Sequence, residues 1–187
     1  MTDKAFNLID YTENALNKED YDNCTFSNCI FSSSGLSEIN FAECVFENCD
    51  LSMTKLKNTA FREVQFKNCK LLGLRFDQCN PFLFSISFED CVLDFSSFYG
   101  LNLKDTTFKA CSLQEVEFIT TDLTRMRFYN CNLERAVFEN TILEQADFST
   151  AKNFTLDPER NRIKQAKFSM EGALALLKKY DIEIEQE

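Results

Sequence analysis

Nine cysteines and no histidine are the first places to look for chemistry in this chain of 187 residues. Cys29, Cys49, Cys69, Cys91, Cys111 and Cys131 recur at steps of 20 or 22 residues, and Cys24 and Cys44 begin a second series with the same step. A zinc site needs four thiolates or imidazoles converging on one point. A series that places one thiol in each layer of a stack does not converge. Stacked neighbours about 4.8 Å apart with parallel side chains also hold their Cβ atoms too far apart for an unstrained bridge. The thiols therefore read as buried, inert core groups, and no metal or other cofactor is expected.

The carboxylates are the second chemical resource. Residues 81–150 carry 11 acids against 5 bases, a balance of −6, whereas residues 151–187 are balanced at 7 and 7. The acids of the first of these regions that are expected to face outward include Asp94, Asp105, Glu115, Glu117, Asp122, Glu134, Glu139 and Glu144. Spread along an exterior, they form no acid–base pair, and there is no phosphate-cradling Gly-rich loop or nucleophile motif. An enzyme is not expected. A stiff acidic rod does present a field like that of duplex DNA, which suits the basic groove of a DNA-binding protein, although charge alone favours the plainer reading that the acids keep the rod soluble. Nucleic acid itself is not an expected ligand for a surface of this sign.

The element that must position these groups is a repeat. Phe26-Ser27-Asn28-Cys29-Ile30-Phe31 returns as Phe46 to Leu51, Phe66 to Leu71, Phe88 to Leu93 and Phe128 to Leu133, with a weaker copy at Phe108 to Leu113. Within each 20-residue unit large apolar residues fall every fifth place, from Tyr21 to Phe76 and, after a slip of two, from Leu83 to Phe148. Five is neither the helical period of 3.6 nor the strand period of 2. It fits a square coil with one pentad on each of four faces. The centre of each pentad then points inward and residue i lies under residue i+20. The second residue before each centre also points inward and must be small, as Cys24, Ser34, Thr54, Thr59, Thr121, Thr141 and Ala146 are. At Ile39, Leu74, Ile86, Leu101 and Met126 local widening is expected.

This pattern resembles that of the pentapeptide-repeat family, written A-[DN]-L-x-x, over roughly Tyr21 to Ala151. The resemblance implies an all-β fold, a right-handed quadrilateral β-helix of stacked short strands and turns. No apolar run approaches a membrane span and the first 20 residues lack a leader's basic start and apolar centre, so a cytoplasmic protein with no membrane contact is expected.

The two ends and one internal site depart from the repeat. In residues 1–20 the small positions hold Lys4, Ile9, Asn14 and Glu19. Unpaired charge is excluded from such a core, so this segment is expected to cap the coil rather than to start it. Regular coiling is expected over 21–151, with a bulge near 77–87 that absorbs the two extra residues, Pro81 among them. There Leu83 is expected inward, flanked by exposed Phe82 and Phe84 that cover the bulge or touch a partner. Over 152–187 the centre turns polar at Asn153, a partial coil returns at Ile163 and Phe168, and Ser169 caps a helix whose stripe runs through Met170, Ala173, Leu174, Leu177 and Tyr180. Ile182 and Ile184 read as a short strand.

The tail Asp157-Pro158-x-x-Asn161-Arg162-Ile163, followed by Ala166-Lys167-Phe168-Ser169 and Leu176-Leu177, is similar to the end of the pentapeptide proteins that guard DNA gyrase, the Qnr-type quinolone-resistance proteins and a microcin immunity protein. That likeness implies a homodimer joined through this C-terminal module by Phe168, Leu174, Leu177 and Tyr180. It implies DNA gyrase as the partner met by the acids above, with topoisomerase IV a second candidate, and protection from quinolones or a gyrase-targeting toxin. The two projecting loops of Qnr-type proteins have no counterpart here beyond the small bulge, so the chain looks more like loop-free members. The alternative is a non-catalytic interaction scaffold for an unrelated basic protein.

Overall fold

A chain that must turn four times in every 20 residues needs a backbone device at each corner, and here it is a left-handed residue. The computed structural model describes residues 1–185. In it the third residue before nearly every inward centre has positive φ; Asn23, Asn28, Asn48, Asn58, Asn68, Asp90, Asn130 and Asn140 lie between 49° and 55°. Asn and Asp are the non-glycine residues that enter this region most readily. The Asn of the recurring motif is therefore a corner residue.

Short strands fill one face of every coil: β1 (Ala5–Asn7), β3 (Thr25–Ser27), β5 (Val45–Glu47), β7 (Val64–Lys67), β8 (Ile86–Glu89), β9 (Thr107–Lys109), β10 (Arg127–Tyr129), β11 (Asp147–Phe148) and β12 (Lys167–Phe168). They form one nine-stranded parallel sheet, and β2 (Asp20–Asp22), β4 (Asn40–Ala42) and β6 (Ala60–Arg62) form a second of three strands. Isolated parallel bridges, such as Ile30 with Asp50 and Glu117 with Val137, hold the other faces together. The result is a β-solenoid of about eight turns, closed by a single short helix, α1 (Met170–Ala175).

The core is a set of ring ladders. Phe6, Phe26, Phe46, Phe66, Phe88, Phe108, Phe128, Phe148 and Phe168 follow one another with ring centroids 4.7–5.7 Å apart. On the opposite face Phe76, Phe98, Phe118 and Phe138 stack at 4.7–5.4 Å. The two ladders meet edge to face, as Phe98 and Phe108 do at 5.7 Å. Offset stacks within a ladder and T-shaped contacts between ladders both suit the ring quadrupole. The oversized Ile39, Leu74, Ile86, Leu101 and Met126 are all buried.

The small inward position proves to be polar by design as well as narrow. Thr54 donates its hydroxyl to the Phe31 carbonyl at 2.7 Å, Thr59 to Leu36 at 2.8 Å, Ser96 to Leu71 at 2.9 Å, Thr121 to Phe98 at 2.9 Å and Thr141 to Phe118 at 2.6 Å. The thiols of Cys44, Cys49, Cys69, Cys91 and Cys131 reach the equivalent carbonyls at 3.2–3.4 Å. Burial pushes the Cys44 thiol up to about 11 and raises Cys29 and Cys79 as well. At neutral pH the Cys44 and Cys29 thiols therefore stay protonated and can donate.

Three expectations need correction. Coiling begins before Tyr21, since β1 pairs with β3 and Phe6 and Tyr11 stack on Phe26 and Phe31, each at 4.7 Å. Lys4, Ile9 and Asn14 are exposed, because the terminal layer has no coil above it and its small positions open to solvent. Leu83 is not inward but 64% exposed at φ 55°, and Phe84 packs on the core instead, 6.4 Å from Phe61. Asn80 still bonds the Thr59 carbonyl in the old register and Ser85 regains the ladder at Phe61, which confines the insertion to Pro81–Phe84 and leaves a gap that the longer Phe side chain reaches. Finally, Ile182 and Ile184 form no strand with any described residue. A strand needs a ladder partner, and α1 and a 3-10 turn at Lys178–Tyr180 occupy this end of the coil.

Candidate partner-binding surface

The burial alternation around each inward centre leaves its two flanking residues and the corner residue facing out, and this fixes where the acids fall. Asp94 and Glu134 flank Leu93 and Leu133 on one face, and Glu117 and Glu139 flank Phe118 and Phe138 on the next. Glu115 occupies the corner between these faces, with φ 55°. Asp122 and Glu144 flank Leu123 and Leu143 on a third face, and Asp105 stands at its far corner. The eight carboxylates thus spread over three faces rather than forming one stripe.

Most of them also have a basic neighbour one coil away. Arg125 grips Asp105 with two bonds of 2.7 Å, Arg135 meets Glu115 at 2.9 Å and comes within 3.8 Å of Glu134, and Lys104 meets Asp122 at 3.1 Å. Arg160 and Arg162 reach Glu139 and Glu144 at 3.1 and 2.8 Å. Asp94 accepts instead from the Ser112 hydroxyl and the Gln114 amide. Hydrogen bonding by Arg125 holds the Asp105 carboxyl below its ordinary range. Burial alone would raise Asp122, but donors on Thr124 and Lys104 outweigh it and lower the group. The pairing was legible in advance: residues 105 and 125, and 115 and 135, differ by one coil, the same rule that stacked the phenylalanines.

The C-terminal module is divided between inside and outside. Ser169 caps α1 by accepting from the Gly172 amide at 3.0 Å. Phe168 continues the ring ladder 5.4 Å from Phe148, and Leu174 is half-buried beside a cavity of about 430 Å³ lined by α1 and Ala151–Phe154. Leu177 and Tyr180 are exposed, together with Met170, Ile182 and Ile184. Lys179 ties this end to the coil through Asp157 and Glu159, both at 2.7 Å, and the Tyr180 hydroxyl donates to Glu159. At the bulge Phe82 and Leu83 are exposed while Phe84 is half-buried. Among the described residues no group of three or more His, Cys, Asp or Glu side chains comes together as a metal site, and no helix is long and apolar enough to cross a membrane.

Comparison with known proteins matches the pentapeptide repeat region over residues 20–98 and 82–157. No curated protein matches by sequence. Among solved structures, QnrB1, a plasmid-mediated fluoroquinolone resistance protein, superposes with a TM-score of 0.65 at 16% identity, covering 97% of this chain and 99% of that one. HetL, involved in heterocyst differentiation regulation in the cyanobacterium Nostoc, superposes with a TM-score of 0.73 at 17% identity, covering 92% and 88%. At these identities the likeness is one of fold.

Proposed function

Because this chain belongs to the pentapeptide-repeat family, we propose that it is a non-catalytic acidic rod that binds DNA gyrase in place of DNA and protects the enzyme from a quinolone or a gyrase-targeting toxin. The observation that carries this reading is the outward placement of the eight carboxylates on successive turns of a stiff solenoid, in a region of net charge −6. The rod works at the level of charge and shape: it offers fixed negative groups at coil spacing to a positively charged groove, with no bond made or broken. The exposed Leu177 and Tyr180, flanked by Met170 and Ile182, would join two copies end to end and double the length of the rod. Phe168 and Leu174 would support that contact from within.

The test is DNA supercoiling by purified gyrase, titrated with this protein with and without a fluoroquinolone. Supercoiling restored in the presence of drug supports protection; inhibition without protection supports DNA mimicry in a regulator. Reversing Glu115, Glu117 and Glu134 to Lys should abolish gyrase binding with the fold intact, and unchanged binding would remove the mimicry argument. Replacing Leu177 and Tyr180 by Asp should give a monomer by sedimentation, and a persistent dimer would refute their role. The second reading, a scaffold for another basic protein, draws on the pairing of six of the eight carboxylates with their own arginines and lysines. It is the one left standing if folded protein has no effect on gyrase.

A further inference from the structure

The insertion at Pro81–Phe84 reshapes the surface as well as the ladder. Between it and the preceding coils lies a groove of about 470 Å³, floored by Ala42, Leu83, Phe84 and Ser85 and rimmed by Glu43 and Glu63. Those two glutamates hold successive places on one corner, at φ 52° and 55°. Elsewhere successive corner charges have opposite sign and pair: Lys18 with Glu38 and Glu115 with Arg135 on two other corners, and Asp105 with Arg125 farther along this one. Stacked like charges repel, and neither Glu43 nor Glu63 is ion-paired among the described residues. Arg62, also in the lining, has its guanidinium carbon 5.8 Å from the centre of the Phe82 ring. The tip is held in place as well, since the Asn80 side chain accepts from the Phe82 amide at 2.9 Å. Phe82 and Leu83 nevertheless remain 64% exposed.

We propose that this groove is a docking site for a protein segment that presents an arginine or lysine beside an apolar side chain. The aliphatic stem of such a residue would cover Leu83 and Phe84 while its cationic head lies between the two carboxylates and relieves their repulsion. The neighbouring apolar residue would cover Phe82. The site uses none of the eight carboxylates discussed above and does not depend on what they bind.

The test is fluorescence anisotropy with the full chain and a fluorescein-labelled peptide of alternating Arg and Leu, at about 0.15 M salt to suppress long-range attraction. Saturable binding is expected. Glu43→Gln with Glu63→Gln should weaken it at least about tenfold, as should Phe82→Ser with Leu83→Ser, whose side chains carry no core contact that folding needs. Glu13→Gln with Glu171→Gln removes the same charge at two exposed carboxylates outside both surfaces and should change affinity less than about twofold. Absence of binding, equal weakening by both glutamate pairs, or indifference to Phe82 and Leu83 would each overturn the proposal.

Discussion

Replacing Thr141 by Val asks whether the narrow inward position is chosen for size or for its donor. Thr141 is fully buried, and its hydroxyl lies 2.6 Å from the Phe118 carbonyl. No backbone amide is seen to bond that carbonyl among the described residues, whereas the Phe98 carbonyl one coil earlier also accepts from Leu101. Valine matches threonine in shape, so Thr141→Val leaves packing almost unchanged and orphans a buried acceptor, at a cost of about 1–3 kcal/mol. Serine keeps the donor and loses one methyl group, worth about 0.8 kcal/mol. The hydrogen-bond reading therefore ranks the proteins wild type, Ser, Val in falling stability, and a purely steric reading puts Val at or above wild type with Ser lowest. For a chain of this length each kcal/mol moves Tm by about 2–4 °C. Thermal unfolding followed by far-UV circular dichroism separates the two orders, and a Val variant that melts at or above wild type with Ser below it would refute the argument.

Asn68→Val should destabilise by about 1–2 kcal/mol, because a β-branched residue is forced to φ 50° and the 2.6 Å bond to Asn48 is lost; urea unfolding reads it. Gly172→Ala should loosen the C-terminal module by about 1–3 kcal/mol, since a Cβ there would come within 2.9 Å of the Phe154 ring and 3.2 Å of the capping Ser169 oxygen. Faster amide exchange within Met170–Ala175 would register it. The carboxyls of Asp105, Asp122 and Asp157 are held below their ordinary 3.8. Their contribution is complete well above that value and disappears as pH falls through the lower folded values, so stability should fall progressively below about pH 5; a denaturation midpoint that is flat down to about pH 2 would contradict this. Arg135→Gln frees Glu115 and Glu134 and should tighten binding to a basic partner severalfold, measured by surface plasmon resonance with gyrase.

Much of the coil was legible because its controlling variable is a spacing. Stacking i on i+20 forces like on like, and the phenylalanine ladder and the small position follow from it, while the cap at Ser169 was legible from its own side chain ahead of a helical apolar stripe. What escaped was set by direction rather than spacing. The motif Asn was visible, but its reason is a left-handed corner, and period alone does not state φ. The inward Cys, Ser and Thr were read as small, although their shared property is a donor hydrogen. Leu83 kept the five-residue step in sequence and lost it in space, because the insertion ends at Phe84 and the ladder, not the count, decides which side chain turns in. Charged residues at the first small positions suggested that no coil was present, yet an end layer has only one neighbour and can let them out.

The same stacking rule constrains how an acidic rod of this kind can be recognised. A partner that reaches Asp105, Glu115, Glu139 or Glu144 finds an arginine already there. These pairs are exposed, and pairs of that kind are worth only about 0–1 kcal/mol each, so an incoming lysine or arginine can displace a resident one at little cost and with little gain. Attraction at long range follows net charge, which pairing leaves at −10. Local affinity should instead concentrate where carboxylates lack a resident base, at Asp94 and Glu117 among the eight and at Glu43 and Glu63 beside the insertion. The ladder that stabilises the rod thus gives six of the eight outward carboxylates a resident base and leaves the unpaired positions to discriminate between partners.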